Sequence, residues 1–235
     1  MEINKYEIEA GLDCPLTAAV VSDLHSSPFE YILEKLTELA PDLILCPGDT
    51  LHNAREDEAG LDFLREAAKL CPTFCSLGNH EVKHGGDVRD AIKATGAVLL
   101  DDDFVGFRGI TLGGLSTGYA VGSKQGRLKK TPRPRLEKLD GFFARKGFKL
   151  LLSHHPEYYG EYLKDRDVNL IISGHAHGGQ WRMFGRGVFA PGQGLFPKYT
   201  SGLYDQKILV SRGLSNHSCI PRIFNKTELI IVNLK

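Results

Sequence analysis

The sequence predicts an α/β fold built on a mixed β-sheet or on two sheets packed together. Three observations carry this. Short runs rich in Leu, Ile and Val, each closed by turn residues, recur at 16–25, 42–49, 73–80, 149–156 and 168–177. Such runs suit strands buried on both faces. Amphipathic segments lie between them, and strand–helix alternation gives a sheet covered by helices. Two further regions read as antiparallel β: 104–116, and the end of the chain with LYDQKILVSRG, IPRIF and ELIIVNL.

The helices follow from spacing. Phe29, Ile32, Leu33, Leu36, Leu39 and Ala40 fall on one helical face, and Pro41 stops the segment. Leu61, Leu64 and Ala68 repeat the pattern with charges opposite, and Leu136, Leu139 and Phe143 repeat it after Pro134. Segments 117–134 and 178–201 read as long loops, a length that often accompanies function. The opening MEINKYEIEAGLD alternates polar and apolar residues and carries acids, unlike the apolar core of a secretion signal. No run of about 18 apolar residues occurs. The expectation is a soluble cytoplasmic protein.

Composition narrows the function classes. The chain has 235 residues, 42% hydrophobic and 25% charged, with 29 Lys plus Arg against 29 Asp plus Glu. A formal net charge of zero argues against attraction of the whole surface to nucleic acid or anionic membrane, leaving only local patches. Cys14, Cys46, Cys71, Cys75 and Cys219 are odd in number and match no disulfide framework, so they read as reduced thiols. Cys46 lies in an apolar run and reads as core packing.

The chemistry sits where the apolar runs stop. They end in Asp23-Leu24-His25, Gly48-Asp49, Gly78-Asn79-His80-Glu81, His154-His155 and Gly174-His175-Ala176-His177, which take six of the nine histidines. Strand ends of an open α/β sheet gather at one edge, where ligands bind. Asp23 and His25, like His175 and His177, are two apart, so in extended chain each pair shares a face. Asp49 has two carboxylate oxygens with which to bridge two ions, and Asn79 has an amide oxygen to donate. A nitrogen and oxygen donor set without thiolate suits Mn, Fe or Zn in a site with open positions. A structural zinc prefers closed sets of Cys and His.

The series Asp-x-His, Gly-Asp, Gly-Asn-His-Glu, His and Gly-His-x-His resembles the calcineurin-like metallophosphoesterase family over residues 23–177. The C-terminal remainder (GGQ, Pro191, GLY, VSRGL, IPRI and a last strand) looks like a bacterial subgroup of small single-domain phosphodiesterases. That subgroup includes UDP-diacylglucosamine pyrophosphohydrolases of lipid A synthesis. The resemblance implies one domain over 1–235, a four-layer α/β/β/α sandwich of two mixed β-sheets flanked by helices. It implies that Asp23, His25 and His177 hold one metal, that Asn79, His154 and His175 hold a second, and that Asp49 bridges both. His80 would face the leaving group without binding metal. The family most often has Asp where this chain has Glu81, which would orient His80 or a ligand. The subgroup often begins with a membrane anchor or export signal, which this sequence lacks.

The expected activity is hydrolysis of a phosphodiester or phosphomonoester of a small molecule by a hydroxide shared between two divalent ions, with His80 as general acid. A nuclease on the same metals would need a longer basic groove. A non-catalytic scaffold would show a broken ligand set, whereas all eight positions are intact. Lys124, Arg127, Lys129, Lys130, Arg133 and Arg135 form a basic stretch that reads as a solvated loop or as a clamp for an anionic substrate. His52 and His217 read as candidate pocket residues, His84 as a surface residue, and Trp181 as a substrate contact or lid residue, with Arg212 similarly open.

Overall fold

Alternate residues of the central strands face different cores, and this division sets the layers. In strands 16–20 and 43–46, Ala18, Val20, Leu43 and Leu45 point into a core between two sheets, while Ala19, Ile44 and Cys46 point into a core under the helices. In the partner sheet Leu150, Leu152, Leu170 and Ile172 enter the first core, and Leu151 and Ile171 enter a third core on the far side. Side chains alternate along a strand, so a strand buried on both faces must be apolar throughout. Removing such a side chain, as in Leu45→Ala, costs about 2–5 kcal/mol.

The structure is a computed structural model describing residues 1–52, 57–83, 87–118, 131–191, 193–216 and 221–235. One sheet has the order β1 (Glu2–Ile8), β16 (Glu228–Leu234), β2 (Leu16–Val20), β3 (Leu43–Cys46), β4 (Thr73–Cys75) and β5 (Val98–Leu99). The other has the order β14 (Gly202–Tyr204), β15 (Ile208–Val210), β9 (Leu170–Ser173), β8 (Phe148–Ser153), β7 (Ile110–Leu115) and β6 (Asp103–Phe107). Strands β2 to β5 are parallel, as are β7, β8, β9 and β15, with antiparallel pairs β16–β2, β6–β7 and β14–β15. Both sheets are therefore mixed, and helices cover their outer faces, giving the four layers expected. The five apolar runs divide between the sheets, three in the first and two in the second.

Helix α1 (Glu30–Leu39) buries Ile32 and Leu36 and ends at Ala40, whose left-handed backbone returns its N–H to the Leu36 carbonyl just before Pro41. Helix α2 (Asp57–Leu70) buries Phe63, Leu64 and Ala67 in the same core. The pattern at 136–143 gives a 3-10 turn, Leu136–Leu139, running into a short helix, Asp140–Phe143. Three features carry no clear sequence signal. Strand β1 pairs with β16, its alternation reflecting an edge strand with one face in water. Helices α3 (Asn79–Lys83) and α4 (Asp87–Ala94) follow β4. Segment 178–201, read as loop, carries two short hairpins: β10 (Arg182–Met183) with β11 (Arg186–Gly187), and β12 (Phe189–Ala190) with β13 (Gly194–Leu195). Among the described residues of IPRIF, 221–224, the β-pairing is an isolated bridge between Ile223 and Trp181.

Candidate metal centre

Strands β2, β3 and β4 of one sheet and β8 and β9 of the other run parallel and end at a common edge. Backbone and side-chain bonds tie these ends together. Asp23 N–H donates to the Gly48 carbonyl at 3.3 Å, His25 N–H to the Asp49 carbonyl at 3.0 Å, and Gly174 N–H to the His154 carbonyl at 3.1 Å. Across the sheets, His175 N–H donates to Asp23 Oδ1 at 3.0 Å. Seven of the eight side chains named from sequence (Asp23, His25, Asp49, His80, His154, His175 and His177) meet here, and Asn79, which precedes His80 at the start of the helix after β4, has its Oδ1 buried.

They fall into two groups joined by one carboxylate. The ligating atoms of Asp23, His25 and His177 lie within 4.8 Å of one another, as do those of Asp49, His154 and His175. Within the first, His177 Nε2 is 3.5 Å from Asp23 Oδ1 and 3.4 Å from His25 Nε2. Asp49 Oδ2 stands between the groups, 3.1 Å from His154 Nε2, 3.8 Å from His25 Nε2 and 4.0 Å from His80 Nε2. Its other oxygen accepts the His80 backbone N–H at 2.8 Å.

The backbone at these positions is unusual. Asp23, His25, Asp49, His175 and His177 all have φ between 45° and 64°. Left-handed backbone costs most non-glycine residues free energy and collects at functional sites, although Asn, Asp and His tolerate it best. Glycines permit the close packing around it. A Cβ on Gly174 would lie 2.1 Å from Ser22 Oγ and 2.3 Å from Asp23 Oδ2, and one on Gly78 would lie 2.2 Å from Asp49 Oδ1.

The donors suit cations. Asn79 Oδ1 and His154 Nε2 are buried without a hydrogen-bond partner, His154 Nε2 lying 3.1 Å from Asp49 Oδ2 as an ion-pair contact. Unpaired buried polar atoms are costly, and each of these is available as a donor to a bound ion. His154 Nδ1 faces the Pro47 carbonyl at 3.2 Å, which directs Nε2 to the site. Burial lowers His25 to about 3 and holds His175 well below the usual imidazole range, so both remain neutral. Burial acts against charge on Asp49 as well, but His154, His80 and His25 outweigh it and hold the carboxyl well below its ordinary value. His154 differs: burial opposes its charge, yet Asp49 and Asp23 push it up to about 9, so a proton competes there with a cation.

The model of the calcineurin-like phosphoesterase family matches residues 16–179, the span that carries all eight residues. The chain belongs to the calcineurin-like phosphoesterase family. An uncharacterised metallophosphoesterase of Campylobacter jejuni is 29% identical over 91% of this chain, which spans 56% of that protein's length. YkuE of Bacillus subtilis, likewise an uncharacterised metallophosphoesterase, is 28% identical over 91% of this chain and 77% of its own. Phosphodiesterase YaeI of Escherichia coli is 27% identical over 86% of this chain and 76% of its own. Among solved structures, TT1561 of Thermus thermophilus has the same fold, with a TM-score of 0.51 at 16% identity, covering 68% of this chain and 82% of its own.

Further residues stand around the candidate centre, Glu81 and His52 as the sequence offered them and Glu157 and Arg222 without such a signal. Glu81 is buried and accepts the backbone N–H groups of Asp49 (3.0 Å), Leu51 (2.9 Å) and Gly78 (2.8 Å), so of the two roles the sequence offered it takes that of orienting a candidate ligand, through the turn that bears Asp49. Burial and the nearby Asp49 push its carboxyl up to about 7. His52 lies at the rim; its Nδ1 is 3.4 Å from His25 Nδ1, and its carbonyl is 2.7 Å from His80 Nδ1. Glu157 sits beside His155 and within reach of His175. Burial opposes charge on Glu157, but His155 holds it down at about 2. Arg222, noticed only as part of IPRI, places Nη2 3.2 Å from His177 Nδ1, and its Nη1 is buried without a partner.

Other expectations resolve differently. Arg212 pairs with Glu228 and with Glu2 (2.7 Å), holding the sheet edge together. Arg135 pairs with Asp102 at 2.5 Å, while Lys124, Arg127, Lys129 and Lys130 lie outside the described residues, as do His84, His217 and Cys219. No helix among the described residues is long and apolar enough to cross a membrane.

Proposed function

We propose that this chain, acting as one domain over residues 1–235, hydrolyses a phosphodiester or phosphomonoester of a small molecule with the help of two divalent ions. Asp23, His25 and His177 would hold one ion, Asn79, His154 and His175 the other, and Asp49 would bridge them. The observation that carries the reading is the position of Asp49 Oδ2, within 3.8 Å of a ring nitrogen from each group. The nitrogen and oxygen donors suit Mn, Fe or Zn.

When bound, the ions supply an ionised water as nucleophile and positive charge against the phosphoryl oxygens. The chain supplies the rest. Its buried carboxylates, Asp23 and Asp49, are kept ionised by the surrounding imidazoles, ready to hold cations. His80 points Nδ1 at the His52 carbonyl, so its Nδ1–H is fixed and Nε2 is the nitrogen left to face the reacting group. With its side chain 23% exposed at the mouth of the site, His80, when protonated on both ring nitrogens, is placed to deliver the Nε2 proton to the departing oxygen, remaining afterwards as the neutral ring with its proton on Nδ1. General-acid help of this kind contributes roughly 10²–10⁴-fold in rate. Arg222 sets a fixed positive charge beside the first group, where a substrate phosphate would lie.

The direct test is hydrolysis of bis-nitrophenyl phosphate and nitrophenyl phosphate with added Mn²⁺, with and without chelator. Chelator-sensitive release of nitrophenol is expected. No release with Mn²⁺, Zn²⁺ or Fe²⁺ would overturn the reading.

A further inference from the structure

Large apolar side chains stand in water on one part of the surface. Among the described residues, seven of the twelve exposed large hydrophobics fall between 181 and 224. Three are phenylalanines on turns: Phe184 is fully exposed, Phe224 88% and Phe196 81%. Each has a left-handed backbone, with φ of 50°, 53° and 51°. Neither local conformation nor packing favours a phenylalanine in such a place, so the exposure calls for an occupant.

The three turns belong to neighbouring segments. Trp181 bridges Ile223, and its indole N–H donates to the Pro221 carbonyl at 3.0 Å. Val188 N–H donates to the Trp181 carbonyl at 2.8 Å, and Phe196 N–H to the Val188 carbonyl at 2.8 Å. The 221–224 segment, the β10–β11 hairpin and the start of the turn at 196 thus lie side by side. The same segments brace the metal centre, because Asn225 donates to the His177 carbonyl at 2.7 Å and Arg222 reaches His177.

Charge selects the occupant. No Asp or Glu occurs between Asp167 and Asp205, whereas Arg182, Arg186 and Lys198 do, and Arg186 and Lys198 are exposed near the aromatic turns, while Lys226, beside Phe224, pairs with Glu2 at 3.4 Å. Protruding aromatic tips ringed by cations fit a deformable anionic interface, which accepts each tip separately. A rigid protein would need three matching pockets. We propose that these loops dock the protein on anionic phospholipid membrane, with Phe184, Phe196 and Phe224 entering the headgroup region and Arg186 and Lys198 facing the lipid phosphates. This places the mouth of the metal centre beside the lipid surface. It is independent of the phosphoesterase reading, because binding is measured without turnover.

Trp181, the sole tryptophan, reports on the patch in the unmodified chain. Adding vesicles of phosphatidylcholine with phosphatidylglycerol should shift its emission to the blue, brominated acyl chains should quench it, and the protein should sediment with the vesicles. Phosphatidylcholine alone should bind more weakly. Each single substitution, Phe184→Ser, Phe196→Ser or Phe224→Ser, should lower the partition coefficient about ten-fold, with the melting temperature unchanged. Arg186→Glu with Lys198→Glu should weaken binding to anionic vesicles only. Unchanged Trp181 emission together with no sedimentation would overturn the proposal. So would full binding by the three-phenylalanine variant. A concentration-dependent dimer that the same variant abolishes would assign the patch to a second copy of the chain instead.

Discussion

The buried carboxylate of Glu81 holds the backbone of Asp49: its Oε2 accepts the Asp49 N–H at 3.0 Å and the Gly78 N–H at 2.8 Å. One side chain on helix α3 thereby fixes the turn after β3 and the turn after β4 together. Glu81→Ala leaves three buried N–H groups without an acceptor and should destabilise the protein by about 3 kcal/mol or more. Glu81→Gln keeps one acceptor oxygen and should cost about 1–2 kcal/mol. Urea melts check the first effect, and metal content after dialysis checks whether the Asp49 turn has moved. A Glu81→Ala protein as stable as the parent would remove Glu81 from this role.

The placement of His80 predicts a dependence on the leaving group. His80→Ala removes the proton donor but none of the seven proposed metal ligands. Its rate should fall roughly 10²-fold or more for alkyl phosphoesters and far less for nitrophenyl esters, whose leaving group needs no proton. Metal content should be unchanged. An equal loss across leaving groups would argue against acid catalysis by His80.

How much of this was legible follows from which residues carry their own signal. Asp23, His25, Asp49, Asn79, His80, His154, His175 and His177 could be found because each follows an apolar run, and strands buried on both faces announce themselves. Their division between two sheets could not, since β3 and β8 have the same composition whichever sheet they join. Glu81 was visible as a residue but not as an acceptor of three backbone N–H groups, a role set by the turn after β3. Arg222 was hidden because its target, His177, lies 45 positions away. Strand β1 was missed because an edge strand alternates much as a solvated loop does, and its partner β16 lies at the other end of the chain. The exposure of Phe184, Phe196 and Phe224 carries no sequence signal, because composition does not reveal which side of a turn faces water.

Asp42 ties the two sheets and makes the fold sensitive to acid. Its Oδ2 accepts the Thr17 N–H at 2.8 Å, and its Oδ1 pairs with Arg108, in the β6–β7 turn, at 2.7 Å. The Thr17 N–H, with Arg108, holds the carboxyl below its ordinary value. A depressed folded-state pKa adds stability above the unfolded value of about 3.9 and loses it as pH falls through the folded value. Both partners are partly exposed, so the contribution is at most about 1 kcal/mol. Asp42→Asn should therefore melt lower than the parent at pH 6, and the gap should narrow below pH 4. A gap that is constant with pH would assign the loss to packing.

The count of ions per chain tests the central claim most directly. Elemental analysis of the purified chain, reconstituted with Mn²⁺ or Zn²⁺ and freed of excess metal, should give two ions per chain. Asp49→Asn should lower that number below two and cut phosphoesterase activity by roughly 10²-fold or more, since one oxygen position serves both groups. A parent chain that holds no ion, or an Asp49→Asn protein that keeps two ions and full activity, would contradict the account.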